Sequence, residues 1–143
     1  PKQDEEGVLE LAMDDAHIYN PGYGGRLELR QDEISNFYLD GWTDFQSRVD
    51  WLVRIDKPGI FDIYAEVAAE ESASFLLMAN DGQKPLTIKS TGGQQTFQTQ
   101  HIGQLILSEG ESTIGMHPQM SLWSPIMLRS VTLKLAAPSK DVE

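Results

Sequence analysis

The sequence predicts an all-β domain, a sandwich or a barrel. Three observations carry this. Apolar and polar residues alternate through most of the chain, as they do in strands with one buried face. No stretch repeats its apolar residues at helical spacing, so little helix is expected. Turn residues recur at intervals of about 8–12 residues, the rhythm of sandwiches and barrels.

Each element follows from this pattern. Val8–Leu11 is a short strand. His17–Gly25 reads as a loop, broken by Asn20-Pro21-Gly22 and Gly24-Gly25. Arg26–Arg30 and Ile34–Leu39 are strands, the second closed by an Asp40-Gly41 turn. Gln46–Ala68 is the clearest stretch of all. Val49, Trp51, Val53 and Ile55 alternate with Asp50, Leu52 and Arg54; Lys57-Pro58-Gly59 turns the chain; Phe61, Ile63, Ala65 and Val67 alternate with Asp62, Tyr64 and Glu66. Ser74–Ala79 and Leu86–Ser90 form a pair around Asn80-Asp81-Gly82. Thr96–His101 and Gln104–Leu107 follow the Thr91-Gly92-Gly93 break. Thr113–His117 comes after a Glu109-Gly110-Glu111 turn, Met120–Pro125 is a loop, and Met127–Leu135 is the last strand. Each strand has a single apolar face, which a second sheet must cover. Val49, Trp51, Val53, Phe61, Ile63 and Leu133 are expected in one core.

The length of 143 residues suits one domain, placed at 7–137. Pro1–Glu6 and Pro138–Glu143 are polar and read as linkers. The start at Pro1 is expected to mark an excised fragment or a processed product. The formal charge is −11, from 22 acids and 11 bases. A nucleic-acid partner would need clustered bases to displace counterions, and an anionic membrane surface is disfavoured for the same reason. Neutral ligands, cations or solubility fit this charge.

Reactive chemistry is sparse. The chain has no cysteine and no Gly-x-Ser-x-Gly, and His17, His101 and His117 stand far apart, so no nucleophilic triad is indicated. Neither His-Glu-x-x-His nor His-x-His occurs, which leaves a zinc site without its ligands. Asp14 and Asp15 are neighbours, and neighbours in an extended chain point to opposite sides. They cannot face one another across a glycosidic bond. An enzyme is therefore not expected. Calcium, which takes carboxylate and carbonyl oxygens in flexible geometry, is a milder possibility at Glu10 and Glu28, with Asp14 and Asp15 beside the first. Function on a β scaffold tends to lie in loops. Tyr23, Trp42 and Trp123 occupy loops and read either as plugs of the sandwich end or as binding platforms.

A resemblance sharpens this picture. "VDWLVRIDKPGIFDIYAEVA" resembles the central signature of galactose-binding-like β-sandwiches, at Val49, Trp51, Val53, Pro58, Gly59, Phe61, Ile63 and Ala65. Gly103, Leu105, Leu107, Gly110 and Ile114 resemble the same group's next segment, Thr91-Gly92 with Phe97 its Thr-Gly-aromatic segment, and Leu128, Val131, Leu133 and Leu135 its last strand. The resemblance spans most of Leu9–Leu135. It is nearest to carbohydrate-binding module families six and thirty-five and to modules appended to bacterial α-L-fucosidases and other exported glycan-degrading enzymes. It implies a two-sheet antiparallel jelly roll, no catalysis, and an extracellular, periplasmic or cell-surface location in bacteria. It also implies a sugar or glycan partner and a neighbouring catalytic domain in the same polypeptide. The alternative is a structural module that packs on that neighbour without binding sugar. Structural calcium is the implied cofactor, carried over to Glu10 and Glu28; where those families place a last-strand aspartate, this chain has Ser130 or Thr132.

A neutral sugar is then expected at the loop end formed by His17–Gly25, Asp40–Gln46 and Met120–Pro125. Its C–H face would pack on Tyr23, Trp42 or Trp123. Its hydroxyls would meet Asn20, Asp44 and Arg26.

Overall fold

The computed structural model describes all residues except 23–24, 80–81, 120–121 and 139–143. Among the described residues the strands are β1 (Leu9–Leu11), β2 (His17–Tyr19), β3 (Glu28–Gln31), β4 (Phe37–Asp40), β5 (Arg48–Ile55), β6 (Gly59–Ala68), β7 (Ala73–Ala79), β8 (Gly82–Ile88), β9 (Phe97–Leu107), β10 (Gly110–Pro118) and β11 (Met127–Pro138), with one 3-10 turn at Met13–Asp15. One sheet has the order β3-β4-β11-β6-β9, with β1 also paired to β11; the other runs β2-β5-β10-β7-β8. Every strand pairing is antiparallel. The expected two-sheet sandwich is what the chain forms. No helix of the described residues is long and apolar enough to cross a membrane.

The two apolar faces meet in one core. Val49, Trp51, Val53, Phe61, Ile63 and Leu133 are all buried in it. Trp51 stands opposite Ile114 of β10, and its indole N–H donates to the Ala12 carbonyl at 2.8 Å. Each fully buried Val, Leu, Ile or Phe contributes about 1.5–3 kcal/mol, so the alternation in β5 and β6 fixes which face turns inward.

Three segments differ most from expectation; elsewhere strand ends shift, as at Ile34–Leu39, where the strand begins only at Phe37, and at Pro138, which ends β11. His17–Tyr19, expected within a loop, is a strand against Arg48–Asp50. Thr96–His101 and Gln104–Leu107, expected as two strands, are one. A register shift opposite Ile63/Tyr64 absorbs Ile102, and a bulge of this kind reverses the alternation without ending the strand. Pro1–Glu6, expected as a linker, is tied to the domain. Pro1 O accepts from Arg54 N–H at 3.0 Å, and Gln3 Oε1 accepts the N–H groups of Asp56 and Lys57 at 2.7 and 2.8 Å. Lys57 Nζ donates to the Glu5 carbonyl.

Candidate functional site

Ala68 of β6 and Phe97 of β9 mark one end of the six-stranded sheet, and Gly59 and Leu107 mark the other. The first end carries a cleft of about 300 Å³ lined by residues 40–43, by Ala68, Glu70, Glu71 and Gln94, and by residues 124–127. Its floor is apolar: Trp42, Ala68 and Ile126 are buried.

Each wall is built by local chemistry. Gly41 has φ +84°, and a Cβ there would stand 2.1 Å from the Arg26 carbonyl oxygen. Only glycine permits this approach of the 40–46 loop to the start of the 26–31 segment. Asp44 Oδ1 accepts the Gln46 N–H at 2.8 Å and so turns the same loop toward β5. On the opposite wall Thr91, buried, pins the chain. Its N–H donates to the Ala69 carbonyl at 2.8 Å, and its hydroxyl accepts the Ala69 N–H at 2.9 Å. Ser90 Oγ donates to the Glu70 carbonyl at 2.7 Å. Gln94 Nε2 donates to Glu70 Oε1 at 3.0 Å, which orients one carboxylate of the wall. Asp40 is paired with Arg30, its Oδ2 lying 3.3 Å from Arg30 Nε.

The residues singled out from the sequence are distributed unevenly around this cleft. Trp42 belongs to it, but as the floor. The indole is 1% exposed, donates to the Ser47 carbonyl at 2.8 Å, and meets Phe75 edge-on at 4.9 Å between ring centroids. A ring enclosed on this scale offers no face to a sugar, so Trp42 is a plug. Trp123 is half-buried and packs against the core; it is absent from the lining of the cleft. Tyr23 lies outside the described residues. Asn20 uses its amide within the chain: Oδ1 accepts from Leu27 N–H at 3.0 Å and from Ser47 Oγ at 2.7 Å, while Nδ2 donates to the Leu27 carbonyl at 2.9 Å. These bonds tie Asn20 to Leu27 and to Ser47. Arg26 is exposed beside Gly41 and Asp44 is half-buried at its turn. Sequence reasoning had Asp40 only as the start of the 40–46 segment and missed Glu70, Glu71 and Gln94, because the strand ends and loops that gather them are far apart in the chain. It also missed Phe45, an aromatic 39% exposed in the 40–46 loop.

The calcium expectation meets a poor fit. Glu28 is held by Arg30 at 3.0 Å, a cation already beside the carboxylate that calcium would need. Glu10 is exposed on β1, opposite Thr132. Among the described residues no three of His, Cys, Asp and Glu gather as a metal-ligand set.

Two histidine–carboxylate pairs lie on the outer sheet faces. His101 Nε2 and Asp62 Oδ1 are 2.9 Å apart, and Gln104 Nε2 donates to the same oxygen at 2.9 Å. These contacts, with the Gln104 bond foremost, lower the Asp62 pKa below its ordinary value. His17 Nδ1 lies 3.4 Å from Asp50. His117, half-buried near Arg48 and Asp50, has its pKa lowered, by desolvation first and by Arg48 second.

No protein-family model and no curated protein matches the chain. Solved structures match in shape, at low identity. A β-(1,4)-mannanase from Podospora anserina with a family 35 module superposes with a TM-score of 0.72 at 17% identity, over 96% of this chain and 29% of that one. A family 35 carbohydrate-binding module from Clostridium thermocellum gives 0.71 at 17% identity, over 90% of this chain and 98% of the module. A family 6 module from Clostridium stercorarium, solved with cellobiose, gives 0.67 at 12% identity, over 90% and 94%. The chain has the fold of family 6 and family 35 carbohydrate-binding modules. It matches such modules over nearly their whole length and spans under a third of the mannanase.

Proposed function

We propose that this domain is a non-catalytic carbohydrate-binding module of a larger, exported glycan-processing protein. We place its sugar site in the loop-end cleft. The observation that carries the reading is the cleft itself. Its volume of about 300 Å³ is at the lower end of small-molecule sites. It joins a rigid apolar floor to hydroxyl, amide and carboxylate groups of Thr43, Ser124, Gln94, Glu70 and Glu71, the donors and acceptors that sugar hydroxyls require. The floor residues are buried and the wall turns are hydrogen-bonded, so the site is pre-formed. Binding is weak, because sugar hydroxyls exchange ordered water for similar hydrogen bonds. Arg26 and Asp44, beside the same loop, are candidates for the rim.

The test is calorimetric titration against a panel of oligosaccharides, with intrinsic tryptophan fluorescence as a second signal, since Trp42 is among the residues that line the cleft. Saturable binding that weakens on Gln94→Ala, with the melting temperature unchanged, supports the site. A panel with no binder at millimolar concentration removes it.

One observation favours a second role at the other end. Ile60 and Ile106 pair across β6 and β9 and are 37% and 66% exposed. They line a gap of about 380 Å³ with Ala79, Leu105, Lys84 and Gln104. This is a face on which a neighbouring catalytic domain would pack. Ile106→Ser should leave sugar binding intact and loosen interdomain contact in the full-length protein, seen as easier proteolysis between the domains.

A further inference from the structure

We infer that the cleft favours an amine-bearing sugar in its protonated form over neutral sugars and rejects uronic acids; the inference rests on the cleft being the glycan site. Among the described residues the lining holds the carboxylates of Asp40, Glu70 and Glu71 and no lysine, arginine or histidine. The charges are unequally engaged. Asp40 is shared with Arg30 at 3.3 Å, which discounts it. Among the described residues the Glu70 carboxylate accepts a neutral amide, from Gln94 at 3.0 Å, which fixes its direction and brings no cation to it. Glu71 is exposed on the same wall.

The cavity makes these charges selective. A concave site with low-dielectric walls concentrates the field of its own charges, and the floor here is the buried Trp42, Ala68 and Ile126. A uronate seated on that floor brings a carboxylate against like charges; of the cations beside the cleft, Arg30 is already paired with Asp40 and Arg26 is exposed at the rim. An ammonium on the same ring gains charge-assisted hydrogen bonds from Glu70 or Glu71. The pairs are partly exposed, so each contributes modestly. The preference for the amine over the neutral sugar should be about three- to tenfold at low salt and fade as salt rises.

Three short oligosaccharides of matched length test this by titration calorimetry: a glucosamine oligomer, its N-acetylated form and an oligouronate. The pH is set near about 6, where carboxylates are ionised and aliphatic amines protonated. The chain's overall charge of −11 would attract any cation, so two variants with equal charge change are compared. One is Glu70→Gln with Glu71→Gln in the cleft. The other is Glu5→Gln with Glu109→Gln at the opposite end. The expected result is an amine advantage of about three- to tenfold, lost in the cleft variant and kept in the distant one, with no detectable uronate binding. An advantage lost equally in both variants would show a net-charge effect and overturn the inference. So would uronate binding, or an N-acetylated oligomer that binds as tightly as the amine; in those cases the glycan reading stands. If no oligosaccharide of any charge binds, the glycan reading fails and takes the inference with it.

Discussion

Trp51 and Trp42 are the same residue type, equally buried, and only one could be placed from sequence. Trp51 keeps phase with Val49 and Val53, so the period of the strand turns it inward. Trp42 follows a glycine in a loop, where no period applies; its burial depends on Phe75 and on the Ser47 carbonyl, contacts that the linear sequence does not display. Trp51→Ala should cost about 3–5 kcal/mol in chemical denaturation, because a large ring leaves and the Ala12 carbonyl loses its donor. His117 gives a pH signature. Its folded pKa lies below the ordinary 6.5, so the unfolded chain binds this proton more readily. Its contribution to stability is present above about pH 6.5 and is lost as pH falls through the folded value. Melting temperature should therefore decline on acidification below about 6.5, and His117→Gln should flatten that slope. Asp62 acts in the acid limb. Its depressed pKa adds stability above the ordinary aspartate value, lost on further acidification.

Strands were more legible than the loops that join them, and the misses have physical causes. The β9 strand reads as two because Ile102 is buried beside Gly103 and breaks strict alternation. Glycine suits that bulge: Gly103 has φ +154°, which other residues rarely adopt, and a Cβ there would press on Leu86 Cδ2 at 2.7 Å. The β2 strand reads as loop because it is only His17–Tyr19, too short for a period, with Asn20-Pro21 at its end. Pro1–Glu6 reads as linker because its attachment is by polar groups, Gln3 above all, and hydrophobic patterning does not register polar attachment. The cleft inherits this limit. Its acids come from the ends of β4 and β6, and its shape depends on Gly41. Gly41→Ala should lower stability by at least about 1–3 kcal/mol, from the strained backbone alone. It should also weaken sugar binding, because the 40–46 loop must withdraw from Arg26.

The domain is a two-sheet sandwich in which, among the described residues, no carboxylate side chain is fully buried. Its fold was recoverable from sequence because core alternation repeats in nearly every strand. The candidate cleft shares residues 40–43 and 124–125 with the loop end expected from sequence, but of the aromatics expected there Trp42 is buried as a plug and Trp123 packs against the core. The Glu28–Arg30 pair sets an expectation for metal. Melting temperature should be the same in millimolar calcium and in chelator; a rise with calcium would show an ion bound by the folded state alone. The most direct test of the cleft is amide chemical-shift mapping by NMR during titration with a bound oligosaccharide. The shifts should concentrate at Gly41, Thr43, Glu70, Glu71, Gln94 and Ile126, and leave the outer face of the five-stranded sheet, around Tyr19, Arg48 and His117, unmoved. Shifts confined to that outer face, with the loop-end residues silent, would contradict the assignment of the cleft as the sugar site.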